Sequence, residues 1–116
     1  MRVCFLLFYI FLIYSNPVSS SKFIYGMEDI PIFKKMEYVE DSFVLFDKID
    51  GRYVSSEIKG NYAQNEVIKF YNQILPNLGW NKIEHLKFIR GEEILEIETV
   101  EGKNQISIIF SIYPGK

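Results

Sequence analysis

The chain of 116 residues is long enough for one small domain, and its formal net charge of −2 makes it mildly acidic. Its basic residues are scattered among acidic ones, whereas nucleic-acid binding normally requires a clustered basic surface. The composition therefore argues against nucleic acids and anionic membrane surfaces as partners.

The N-terminal segment has the pattern of a secretory signal peptide. Arg2 precedes an unbroken apolar run over residues 3–14, and such signals contain about 7 to 15 apolar residues. Small residues follow Pro17 and predict cleavage between Ser20 and Ser21. A membrane-spanning helix needs about 20 apolar residues, so an uncleaved anchor is the less favoured alternative. We expect an exported protein, periplasmic or secreted, with no stable membrane span after cleavage of residues 1–20.

The single cysteine, Cys4, lies inside this signal. Cleavage would leave the mature protein without a disulfide, a thiol nucleophile or a cysteine metal ligand. The chain also lacks an Asn-x-Ser/Thr glycosylation acceptor, which fits bacterial export.

Residues 21–41 are predicted to form an extended leader. Pro31 favours an extended conformation at the residue before it, and Phe33, Met36 and Tyr38 are candidates for packing on the core. Such a leader is either a binding arm or a strap that covers a sheet edge, and we favour the strap. Residues 42–116 are then expected to form a single α+β domain.

A β-hairpin is predicted at the start of that domain. The apolar run 43–46 is followed by a turn at Asp50-Gly51, because glycine accepts the positive φ that tight turns require. The second strand is predicted over residues 52–59, and its alternation places three side chains on one face: Val54, Ser56 and Ile58.

The next segment changes to helical periodicity. Apolar residues recur at three- and four-residue spacing, the pattern of an amphipathic helix: Val67, Phe70, Tyr71, Ile74, Leu75 and Leu78. Asn61 is the predicted N-cap, and Gly79 is expected to end the helix in a left-handed conformation. Pro76 should bend or tighten the last turn.

Three further strands are predicted, over residues 80–89, 93–100 and 105–113. The last has the clearest alternation, with Ile106, Ile108, Phe110 and Ile112 on one face. Clean alternation is typical of antiparallel strands with one buried face. The predicted fold is therefore α+β, in the order ββαβββ, with a five-stranded, mostly antiparallel sheet and one helix packed on one face.

The candidate metal and catalytic patterns are weak. Asp47–Gly51 resembles part of a calcium loop, but Ile49 and Ile58 occupy positions three and twelve, where oxygen ligands are needed. His85 is the only histidine, and we expect it to be a solvated residue on a strand. We therefore expect no metal, no cofactor and no catalytic site.

One hydrolase alternative remains open. It would use His85 with the acidic residues of the neighbouring hairpin: Glu92, Glu93, Glu96, Glu98 and Glu101. Paired carboxylates can hydrolyse glycosides, but they need a substrate cleft, for which this small domain has little room. A charged, solvated sheet face is the favoured interpretation.

Trp80 and a set of three strand residues suggest packing or contact. Trp80 is expected to fill the core at the junction of helix and strand, with a pocket wall as the alternative. Tyr53, Ile109 and Tyr113 should face away from the helix, and aromatic residues are enriched in interface cores. These three residues are the candidate interaction face, against the alternative of scattered apolar surface residues.

A longer pattern carries a family resemblance. Phe70-Tyr71, Leu75-Pro76 and Leu78-Gly79-Trp80 form a helix-end motif, with Asp29-Ile30-Pro31 and Gly51-Arg52 upstream. This arrangement, over about residues 29 to 97, resembles small exported alphaproteobacterial domains of uncharacterised function, and the composition is similar to that of a rickettsial member. The resemblance implies a small periplasmic α+β domain and implies no activity.

The sequence therefore favours a periplasmic or envelope-associated binding module that acts through a sheet face or edge. Its expected partner is a protein or a second copy of the chain. A secreted effector that acts on a host is one alternative, and the small hydrolase is the less favoured one.

Overall fold

The structure is a computed structural model that describes residues 22–115. The predicted signal peptide and its cleavage site between Ser20 and Ser21 lie outside these residues. The strands are β1 (Phe23–Ile24), β2 (Met27–Pro31), β3 (Glu37–Tyr38), β4 (Val44–Lys48), β5 (Gly51–Gly60), β6 (Asn81–Glu84), β7 (Lys87–Arg90), β8 (Glu93–Glu101) and β9 (Ile106–Pro114). The helix α1 spans Gln64–Ile74 and continues into a 3-10 turn at Leu75–Leu78.

Seven of these strands form one large antiparallel sheet. The order across it is β3-β5-β9-β8-β7-β6, and β4 pairs with β5 beside β3. The short strands β3 and β4 lie along the same edge of β5, because Tyr38 is opposite Ile58 and Val44 is opposite Ser55. β1 and β2 form a separate two-stranded sheet. The α+β class and the antiparallel sheet with one helix are confirmed, whereas the five-strand count and the ββαβββ order are wrong.

The core lies between the large sheet and α1. The predicted faces of β5 and β9 are buried, including the one polar residue Ser56. From the helix, Val67 and Tyr71 are buried against them, and the ring centre of Tyr71 lies 5.1 Å from that of Phe110. Strand alternation and helical periodicity thus identified both sides of this core. No helix in residues 22–115 is both long enough and apolar enough to cross a membrane.

The end of α1 agrees with the sequence prediction. Pro76 lies in the 3-10 turn, where the tighter turn tolerates the missing backbone donor. Gly79 follows with φ +93°, and the backbone N–H of Trp80 donates to the Leu75 carbonyl at 3.1 Å. The predicted start is wrong, since the N-cap position is Ala63 and not Asn61. β5 runs on to Gly60, so the chain needs residues 61–63 to cross from the sheet to the helix.

The strand predicted over residues 80–89 is two strands. β6 and β7 pair with each other across a turn at His85 and Leu86, where Leu86 adopts φ +59°. Alternation alone cannot reveal this turn, because it contains no glycine or proline. His85 is therefore an exposed turn residue and not a strand residue, and Leu86 is only partly buried.

The leader packs on the domain as a strap. Its apolar side chains are buried in the core: Ile24, Met27, Ile30, Phe33 and Met36. The buried hydroxyl of Tyr71 donates to the Pro31 carbonyl at 2.8 Å and accepts from the Phe33 N–H at 3.1 Å. Burial raises the pKa of Tyr71 well above its usual value, so this hydroxyl keeps its proton at neutral pH. One tyrosine thus joins helix and strap.

Arg90 connects the helix-end motif to the upstream residue Asp29. Its guanidinium donates to the Asp29 carboxylate at 2.7 Å and to the Leu78 carbonyl at 2.9 Å. The same group lies 4.3 Å from the ring centre of Trp80, within the range of a cation–π contact. Trp80 is fully buried, which confirms its predicted place in the core. These residues therefore have a shared structural role.

Candidate functional site

The two outer edges of the large sheet differ in how they are protected. β6 has four residues, two of which are charged, and its register shifts between Lys82 and Glu84. An irregular register discourages the addition of another strand, and β6 has one apolar residue where β4 has three. β4 instead keeps a continuous five-residue register with β5, from Val44 to Lys48. No described strand pairs with its outer side, so β4 is the better template for strand addition.

The β4 hairpin also carries a concentration of exposed apolar side chains. Val44, Leu45, Phe46 and Ile49 are 39, 52, 56 and 107% exposed, and they are four of the eight large exposed apolar residues in residues 22–115. We call these four residues the edge patch. A concentration of exposed apolar side chains in one hairpin often marks an interaction site. The edge patch is therefore the candidate functional site.

The sequence prediction missed the edge patch. The apolar run 43–46 has the composition of a buried strand, and only the sheet order shows that β4 is outermost. One signal was present: the preceding residues Glu40, Asp41 and Ser42 are polar and provide no strand that could cover β4.

A shallow depression borders the edge patch on the sheet face opposite α1, which we call the open face. The depression has a volume of about 390 Å³ and is lined by Val44, Phe46, Lys48, Tyr53 and Ser55. Phe46 and Tyr53 lie opposite each other on β4 and β5, with ring centres 6.0 Å apart. An extended segment alongside β4 could therefore place a side chain against two aromatic rings.

The three residues predicted as an interaction face all lie on the open face. Val54 pairs with Ile112 in the antiparallel register of β5 and β9, so Tyr53 lies opposite Tyr113. Ile109 lies opposite Glu57, four residues from Tyr113 along β9. All three side chains are half-buried. Tyr53 belongs to the depression and Tyr113 adjoins it, whereas Ile109 is separated from both, and the role of the three in binding stays a prediction.

A hydrogen bond fixes Tyr113 on the open face. Its hydroxyl donates to Glu96 Oε1 at 2.6 Å. This bond to Glu96, followed by burial and the negative charge of the carboxylate, raises the pKa of Tyr113 from 10.0 to about 12. Tyr113 is therefore neutral under physiological conditions and contributes a ring and a bound hydroxyl, not a charge, to the open face.

The raised pKa makes part of the protein's stability depend on alkaline pH. The folded state holds the Tyr113 proton more tightly than the unfolded state, so its contribution is complete below pH 10 and is lost as pH rises to about 12. We expect the unfolding free energy of Tyr113→Phe to fall less steeply than that of wild type over this window. Urea denaturation at several pH values measures both slopes, and equal slopes would contradict the assignment.

Two residues of the hydrolase alternative, Glu93 and Glu96, are engaged in other interactions. Glu93 receives a hydrogen bond from Arg52 at 3.0 Å, which raises the pKa of Arg52, and Glu96 holds Tyr113. His85 lies in the exposed β6–β7 turn. Among the side chains that the structure describes, no group of three or more His, Cys, Asp or Glu residues is placed to hold a metal ion. The geometry thus adds no support for this alternative.

Comparisons with protein-family models, with curated proteins and with solved structures found no match for this chain.

Proposed function

We propose that the protein is an exported binding module that takes an extended segment of a partner protein as an additional strand at β4. The contrast between the two sheet edges carries this proposal, since β6 has an irregular register and one apolar residue whereas β4 has a continuous register and three apolar residues, Val44, Leu45 and Phe46. In strand addition, backbone hydrogen bonds supply affinity and side-chain pockets supply specificity. The depression beside Phe46 and Tyr53 is such a pocket. Export is part of the proposal and depends on the signal pattern of residues 1–20.

A partner strand fits this edge better than a second copy of the domain. β4 has five residues and is therefore about 17 Å long. Specific protein interfaces usually bury more than about 1,000 Å² in total, and pairing of two such short edges supplies only a small part of that area. A flexible peptide can instead extend beyond the strand and contact the open face. Self-association remains the second candidate, because the edge patch is apolar on both sides of the sheet.

The proposal is tested with peptides selected from a random display library on the mature domain, residues 21–116. We expect Phe46→Lys to weaken binding of the selected peptides by roughly tenfold or more, because the apolar contact with the phenylalanine ring is lost. Fluorescence anisotropy measures the affinity. Phe46 is largely exposed, so the substitution should leave the fold intact.

Ile83→Lys provides the matched control. Ile83 lies in the opposite edge strand β6 and is 48% exposed, close to the 56% of Phe46. We expect this variant to bind like wild type. Equal weakening by both substitutions, or none by Phe46→Lys, would place binding elsewhere. Sedimentation velocity on the same variants distinguishes a partner protein from a second copy of the domain. If wild type is a dimer and Phe46→Lys dissociates it, the strand that adds to β4 belongs to a second copy.

A further inference from the structure

Lys48 is the only charged residue among those that line the open-face depression. The other lining residues are Val44, Phe46, Tyr53 and Ser55. Four cations of the described chain are in salt bridges within 4.0 Å, namely Lys34, Arg52, Lys87 and Arg90. Lys48 is exposed and forms no such bridge with any side chain that the structure describes. Its charge is therefore available to a ligand in the depression.

The spacing along β4 relates this charge to the aromatic pair. Phe46 and Lys48 are two residues apart in one strand, so their side chains point to the same face at a separation of about 7 Å. A strand added beside β4 has the same period. Two of its residues at positions i and i+2 therefore lie beside Phe46 and Lys48 at once. One of these positions meets the aromatic rings and the other meets the ammonium group.

We propose that the β4 edge selects extended segments that carry an apolar side chain and a carboxylate two residues apart. The apolar side chain packs against Phe46 and Tyr53, and the carboxylate pairs with Lys48. This inference rests on the proposed function, because it specifies which segments the edge accepts. The charge of Lys48 opposes a cation at the second position, so the preference has an attractive and a repulsive part.

The test uses short amidated peptides in which phenylalanine and a charged residue are separated by one threonine. The charged residue is glutamate or lysine, and both orders are made, since the added strand can run in either direction. One further probe ends two residues after phenylalanine in a free carboxyl terminus, which distinguishes a terminal from a side-chain carboxylate. We expect wild type to bind the glutamate probe about threefold more tightly than the lysine probe, since exposed ion pairs are weak.

Charge reversal at Lys48 gives the decisive comparison. We expect Lys48→Glu to bind the lysine probe about threefold more tightly than the glutamate probe, the reverse of wild type. The relative affinity for the two probes therefore changes about tenfold between wild type and Lys48→Glu. Lys48→Gln should show little preference. The matched control is Lys82→Glu in β6, which should keep the wild-type preference, and 0.5 M salt should reduce every preference.

The outcomes separate this inference from the proposed function. If wild type binds both probes equally and Phe46→Lys still abolishes binding, the edge is the site but the carboxylate preference is wrong. If the preference survives Lys48→Glu unchanged, Lys48 does not supply it and the inference is overturned. If no probe and no selected peptide binds, strand addition at β4 is itself wrong.

Discussion

Replacement of Ile108 by proline should leave the protein unfolded. β9 lies between β5 and β8, and Ile108 pairs with Ile58 on one side and Thr99 on the other. Proline has no backbone N–H, so it removes a ladder hydrogen bond in a central strand and places a ring where the ladder is closely packed. The fully buried isoleucine side chain is lost as well. Far-ultraviolet circular dichroism and the dispersion of amide NMR signals measure the result.

Ile108→Val is the control for the backbone effect. It removes one buried methyl group and keeps the N–H, so it should cost about 0.5–1.5 kcal/mol and fold normally. A cooperatively folding Ile108→Pro variant would show that β9 is not an inner strand.

Trp80→Ala should cost roughly 3–5 kcal/mol of unfolding free energy. The indole is fully buried at the junction of the helix end and the sheet. It also supports the guanidinium of Arg90, which binds Asp29 of the strap. The substitution therefore leaves a cavity and loosens the contact between strap and domain. Denaturation by urea, followed by circular dichroism, measures the loss.

Ile49→Ala is the matched control for loss of a large apolar side chain. Ile49 is 107% exposed at the tip of the β4–β5 hairpin, so its truncation should change the unfolding free energy by less than about 0.5 kcal/mol. A near-neutral effect of Trp80→Ala, comparable to that of Ile49→Ala, would contradict the burial of the indole.

The parts of the fold with strong local periodicity were predictable. The three- and four-residue spacing in α1 and the alternation in β5 and β9 identified the residues that face each other in the core. Gly79 ended the helix for a local reason, because it adopts a positive φ that other residues rarely do. Each of these features is encoded within a short stretch of sequence.

The parts that depend on distant contacts were not predictable. The turn at His85 and Leu86 exists because β6 folds back on β7, yet its residues carry no turn signal. The strap is held by Tyr71 and Arg90, which lie about 40 to 61 residues away in the chain. No periodicity in residues 21–41 indicates these partners, although the apolar character of Phe33 and Met36 did indicate burial.

The candidate site was predictable only in part. Alternation placed Tyr53 and Tyr113 on the open face, because side-chain direction follows from strand register. The edge patch was missed because exposure of Phe46 depends on the position of β4 in the sheet, and β4 is outermost only because β9 pairs with the other side of β5.

Hydrogen exchange on the complex tests strand addition at β4 most directly. Amide exchange is measured by NMR on the mature domain, alone and with a saturating selected peptide. We expect new protection within Val44–Lys48 and unchanged exchange within Asn81–Glu84, because only amides on the outer side of β4 gain partners. Protection at β6, or a bound complex in which the exchange of β4 is unchanged, would contradict strand addition at this edge.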